Sequence, residues 1–181
     1  MKVKEREISH SVQICAPAER VWRHITDVDI ASFHHSAYLY AVGVPKPLRA
    51  EIIDAGVGGS RIAYFDNDKR FTQEITAWQY LERYSFTFRA DPGFRVGYFL
   101  DLAEGPFRMK SATYTILPEE SGVRLNLGSR YELHGAKGAC LRLPVWLVLN
   151  LYQRYLLRGI KANAEREHAK GDDFNRDRGS V

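Results

Sequence analysis

The sequence predicts an α+β fold in which one long C-terminal helix closes a curved antiparallel sheet, with a ligand cavity between them. Three observations carry this prediction. Stretches of period-two alternation succeed one another through the middle of the chain with turn residues between them, as antiparallel neighbours do. The long segment with helical spacing, Leu143 to His168, follows all of them. A strongly curved sheet under one helix does not fill its whole interior with side chains, so a cavity is expected.

Ile8, His10, Val12 and Ile14 alternate with Ser9, Ser11 and Gln13, the pattern of a half-buried first strand. Ala16-Pro17-Ala18-Glu19 opens a short helix, with Pro17 in the first turn where a missing N–H costs nothing. Val21, Trp22 and Ile25 are its apolar stripe. Gly56-Val57-Gly58-Gly59-Ser60 invites a phosphate-loop reading, but no Lys-Ser/Thr follows and a strand comes next, so it reads as a hairpin turn. Phe71, Gln73, Ile75 and Ala77 form one phase of a later strand, against Arg70, Thr72, Glu74 and Thr76. Tyr84, Phe86 and Phe88 oppose Arg83, Ser85, Thr87 and Arg89 in the next. Ala112 to Leu117 turns through Pro118-Glu119-Glu120-Ser121-Gly122 into the clearest alternation, Val123, Leu125, Leu127, Ser129, Tyr131 and Leu133.

In the closing helix, residues at 100° intervals put Asn150, Gln153, Arg154, Arg158 and Lys161 on an outer side. Val145, Val148, Tyr152, Tyr155, Leu156, Gly159 and Asn163 are expected to face the sheet. Leu143, Trp146 and Leu147 fall on the polar side. A loop is expected to pack over them, the alternative being a transient contact with a membrane surface or a protein.

At 181 residues, with 45% hydrophobic and 27% charged, the chain reads as one domain over 1–169 with a flexible polar tail over 170–181. This composition excludes a disordered or collagen-like protein. Two cysteines, Cys15 and Cys140, exclude a disulfide framework and a multi-thiolate zinc site, and read as small buried apolar residues. The net charge is +4, but basic residues are interleaved with acids, as in Lys4-Glu5-Arg6-Glu7, which argues against nucleic acid. The N-terminus lacks the apolar run of a signal peptide, and Leu143 to Leu157 is broken by Pro144, Asn150, Gln153 and Arg154. A soluble cytoplasmic protein is expected.

Polar residues in inward phases are the candidates for the cavity, because a buried polar group needs a partner. These are His10, Gln73, Tyr84, Tyr114, Ser129 and Tyr131, with Tyr152 and Asn163 from the helix; Tyr64 and Tyr98 lie on strands that alternate poorly. Tyr38, Phe86, Phe88, Leu127, Val148 and Leu156 complete the expected wall. Such a wall suits a flat hydrophobic ligand carrying a few oxygens; the alternative is that the tyrosines only fill the core. His10 reads first as a satisfied core histidine. Glu51 and Glu74 could pair on adjacent strands, but Glu74 lies in the wet phase, where a salt-bridged surface explains it. The sharpest local feature is Phe33-His34-His35-Ser36-Ala37-Tyr38-Leu39-Tyr40, whose adjacent histidines cannot point the same way on a helix or strand.

The order of elements, with Ile14-Cys15-Ala16-Pro17-Ala18-Glu19-Arg20-Val21-Trp22 and the spaced Leu157, Lys161 and Glu165, resembles the START/SRPBCC superfamily over about residues 5–169. These are the helix-grip proteins related to birch pollen allergen, and the chain is particularly similar to their polyketide cyclase/dehydrase-like group. The resemblance implies a helix-grip fold around a hydrophobic small molecule, and it places the His34 region at the cavity mouth. It implies either cyclisation or dehydration of a polyketide-like substrate, with His34, Tyr114 and Tyr131 moving protons, or a non-catalytic carrier of a lipid, quinone or sterol-like ligand. An adaptor using Trp146 and Leu147 is a third possibility. Non-haem iron oxygenases of the same fold use two His and a carboxylate; their Asp-X-X-His spacing is missing here, so no metal or other cofactor is expected.

Overall fold

The computed structural model describes residues 4–29, 33, 37–97 and 100–178. β1 (Lys4–Ile14), α1 (Ala18–Thr26), β2 (Val28–Asp29) and α2 (Ala37–Ala41) open the chain. The meander follows as β3 (Pro47–Ile52), β4 (Ser60–Phe65), β5 (Arg70–Gln79) and β6 (Arg83–Thr87), with short strands β7 (Arg89–Ala90), β8 (Arg95–Val96) and β9 (Leu100–Asp101). The long pair β10 (Phe107–Glu119) and β11 (Gly122–Leu133) leads through α3 (Gly135–Cys140) into α4 (Arg142–Arg178).

The main sheet is antiparallel in the order β1-β11-β10-β6-β5-β4-β3-β2, with β7 on β5 and β8-β9 as a separate ribbon. The first strand therefore pairs with the last, and Ile14 lies opposite Val123. Register shifts between Met109 and Ser111 and between Ile75 and Ala77 bend the long strands, as β-bulges do, and help curl the sheet around α4. In β11 every residue of the predicted inward phase, from Val123 to Leu133, is buried. The glycine-rich run is a hairpin turn between β3 and β4, with Gly56 and Gly58 at positive φ.

Two apolar clusters hold the layers together. One joins Trp22 and Ile25 of α1 to Ile75, Tyr84 and Leu125 of the sheet and to Leu157, Ile160 and Ala164 of α4. Trp22 meets Trp78 edge-on at 5.3 Å between ring centroids, a favoured aromatic geometry. The other joins Ile8, Leu100, Phe107, Tyr131, Leu133 and Val145 near the start of α4. Polar contacts lock α4 to the entry of α1. The Lys161 ammonium donates to the Gln13 carbonyl at 2.7 Å and pairs with Glu165. Glu165 in turn accepts the Cys15 backbone N–H at 2.8 Å.

Three expectations change here. The buried stripe of α4 runs through Val145, Gln153, Leu157, Ile160 and Ala164, so Gln153 faces inward rather than outward. The wheel misplaced it because a polar side chain can be buried when partners await it. Among the described residues no loop covers the first turns of α4: Leu143, Trp146 and Leu147 are 69%, 48% and 51% exposed. Cys15 and Cys140 are exposed, since each lies at the entry or exit of a helix and not on its apolar stripe. The helical backbone of α4 runs through Arg178. Among the described residues no helix is long and apolar enough to cross a membrane.

Candidate functional site

A cavity of about 550 Å³ lies between the curled sheet and α4. Its deep wall is built where inward phases of neighbouring strands meet. Arg61 and Ala63 come from β4, Gln73 from β5, Phe86 from β6, and Ala112 and Tyr114 from β10. Val148, Tyr152, Leu156 and Ile160 supply the helix side, so the predicted inward face of α4 turns toward the void while the adjoining stripe packs on the sheet. Ala41, Val42, Pro144 and Leu147, all exposed, form the rim between α2 and the start of α4.

Of the residues expected at the wall, Gln73, Phe86, Phe88, Tyr114, Leu127, Ser129, Val148, Tyr152 and Leu156 line it. Others lie elsewhere. Tyr84 sits behind the wall, packed against Trp22, Trp78 and Phe86. Tyr131 lies in the second cluster beside Phe107 and does not reach the void. Tyr64 points to the outer face, where the Arg49 guanidinium stacks over its ring at 4.8 Å. Tyr38 is 78% exposed on α2. His34 and Tyr98 lie outside the described residues.

His10 stands one step behind the wall. Its Nδ1–H donates to Gln153 Oε1 at 2.7 Å, an assignment that follows from the other bonds of that amide. The Gln153 nitrogen donates to Ser129 Oγ at 2.8 Å and to the Ile8 carbonyl at 3.3 Å. This amide is saturated by the protein, and His10 is the satisfied core histidine that its strand phase predicts.

Arg61 is the wall residue that sequence reasoning missed. It is buried at 4% exposure, and its guanidinium lies 5.0 Å from the Phe86 ring centroid and 5.6 Å from that of Tyr84. Its Nε has no hydrogen-bond partner among the described residues, nor has Gln73 Oε1. The sequence carries no signal that would place Arg61 inward, because Ile62 and Tyr64 make the opposite phase of β4 as apolar; the structure turns Arg61, Ala63 and Phe65 inward.

Burial controls the phenols. It raises the Tyr114 hydroxyl to about 12, with the Arg61 charge opposing and Tyr84 adding. Burial pushes Tyr152 and Tyr84 up as well, again against the Arg61 charge. These hydroxyls stay protonated at neutral pH and can donate a hydrogen bond. Among the described residues no group of three His, Cys, Asp or Glu side chains converges as a metal site.

No curated protein matches the chain significantly in sequence. Solved structures share its fold. A Mesorhizobium loti protein superposes with a TM-score of 0.56 at 16% identity, covering 89% of this chain and 98% of its own. The protein Ara h 8.0201 does so with 0.56 at 10% identity, over 89% and 98%. Norcoclaurine synthase from Thalictrum flavum, solved with a transition-state analogue, gives 0.56 at 11% identity, over 93% and 99%. At these identities the likeness is one of fold, the helix grip. The family model described as polyketide cyclase/dehydrase and lipid transport matches residues 5–165, from β1 to Glu165 in the Lys161–Glu165 lock, and the chain belongs to that family.

Proposed function

We propose that the protein encloses a hydrophobic small molecule in the cavity between the sheet and α4. The observation that supports this is the void itself. About 550 Å³ falls within the range of small-molecule sites, and its wall is aliphatic and aromatic except for a few polar groups. Apolar burial there is worth roughly 25 cal/mol per Å² of ligand surface, enough to drive association without a covalent step. On this reading the protein carries or sequesters a lipid, quinone or sterol-like compound. The exposed Leu143, Trp146 and Leu147 beside the rim are the surface through which a membrane or a protein delivers it.

A second reading, cyclisation or dehydration of a polyketide-like substrate, draws on Tyr114 and Tyr152. Their protonated hydroxyls at the wall are placed to polarise a carbonyl, and His34 is the residue proposed as base. Native mass spectrometry of the purified protein, then organic extraction and mass analysis, identifies a bound compound. Ala63→Phe, which fills the void from β4, is expected to weaken its binding by roughly tenfold or more. A folded Ala63→Phe protein that binds as tightly as wild type would sink the cavity reading. Tyr114→Phe separates the two functions: in a carrier, ligand is retained with at most a modest loss of affinity, whereas in an enzyme turnover is lost while ligand is still bound.

A further inference from the structure

Among the described residues that line the cavity, Arg61 is the charged one. No ion pair joins it to any described carboxylate, and among the described residues its buried Nε has no hydrogen-bond partner. A guanidinium taken out of water without a counter-ion is costly, which is why buried arginines are found paired. The groups around Arg61 do not supply the missing charge. Tyr84, Tyr114 and Tyr152 feel its field, and Tyr84 also hydrogen-bonds it, but all three remain neutral phenols that carry no counter-charge. Gln73, its cross-strand partner in the β4–β5 register, is a neutral amide whose own Oε1 is unpartnered. One patch of the deep wall thus offers a planar fork of N–H donors beside two phenol donors, Tyr114 and Tyr152. The path from there to the rim at Val42 and Leu147 is apolar.

We infer that the molecule held here is an amphiphile with a carboxylate head, which pairs with Arg61 at the deep wall while its apolar body extends toward the rim. The inference rests on the reading that the cavity binds a hydrophobic small molecule, and adds to it the charge and orientation of that molecule. A guanidinium accepts a carboxylate through two parallel N–H···O bonds, and the neutral phenols complete the shell of donors. A neutral lipid of the same length would leave the arginine as uncompensated as the empty cavity does.

The test is a matched pair that differs only in the head: decanoate and decan-1-ol, titrated calorimetrically at pH 7.5 into the full chain and into Arg61→Met and Arg61→Lys. Wild type is expected to bind decanoate about tenfold or more tighter than the alcohol, Arg61→Met to bind the two alike, and Arg61→Lys to keep part of the preference. Equal binding of the pair by wild type, within about twofold, overturns the carboxylate inference and leaves the cavity reading standing. A preference that survives in folded Arg61→Met overturns it too, since the selecting charge then lies elsewhere. Binding of neither compound by folded wild-type protein overturns both. Where Arg61→Met does not fold, the wild-type pair and Arg61→Lys decide.

Discussion

Gln153 and Arg61 are both polar, both buried, and opposite in how the protein treats them. Gln153 makes bonds to His10, Ser129 and the Ile8 carbonyl, so its amide is a structural junction between α4, β1 and β11. Removing it strands three groups in a dry place. Gln153→Ala is therefore expected to cost about 2–3 kcal/mol in urea denaturation. A loss below about 0.5 kcal/mol would mean that water replaces the amide without penalty. Neither residue's place was legible from the pattern of polarity alone. A helical wheel and a strand phase report the average preference of a side chain, and a buried polar group departs from it whenever a specific partner exists. Arg61 stood in the inward phase of a strand whose alternation looked poor because an arginine occupied it. His10, by contrast, was legible, because its strand phase was unambiguous.

At the scale of elements, α4 carries most of the organisation. Its Lys161–Glu165 step ties it to the turn between β1 and α1, a spacing the sequence displayed openly. Burial alone would raise the Glu165 carboxyl, but hydrogen bonds from Lys161 and the Cys15 N–H, with the Lys161 charge, outweigh it and hold the group below its ordinary 4.5. A lowered folded-state value means stability that is present above the unfolded value and is lost as pH falls through the folded one. Glu165→Gln should therefore lower stability at neutral pH and flatten the acid limb below about pH 4.5, read from chemical denaturation across pH. An unchanged acid limb would show that other carboxylates govern it. The opposite end of α4 makes a different prediction. Because Trp146 and Leu147 are half exposed, Trp146→Ser with Leu147→Ser should change stability by less than about 1 kcal/mol. The same pair should slow uptake of ligand from phospholipid vesicles, measured by transfer of a fluorescent fatty acid. Wild-type transfer rates in the double variant would remove the rim from the account.

The whole molecule follows from the pairing of β1 with β11 and the curling of everything between them around one helix. That architecture was legible because it depends on long, repeated periodicities, to which dozens of residues contribute and single exceptions do little harm. The cavity wall was legible only in part, since it depends on which member of each inward phase reaches the void. Tyr114 does and Tyr131 does not, though both alternate inward, because Tyr131 lies farther along the sheet beside Phe107. At this scale Arg61 also predicts how the empty protein behaves. Replacing an uncompensated buried guanidinium with an unbranched apolar chain is expected to stabilise ligand-free protein by about 1–3 kcal/mol, so Arg61→Met should melt higher than wild type when empty. An Arg61→Met protein that melts lower would mean that the guanidinium is satisfied without ligand.

An arginine that meets its counter-ion only in the guest gives the guest a second role, as a determinant of how long each copy of the protein survives. Mass action favours the filled fold, by about 2.7 kcal/mol at a hundredfold excess over the dissociation constant, and unfolded copies are the ones that proteases remove. Steady-state abundance in the cell would then rise and fall with the supply of the compound, so that the amount of protein becomes a record of the metabolite it keeps.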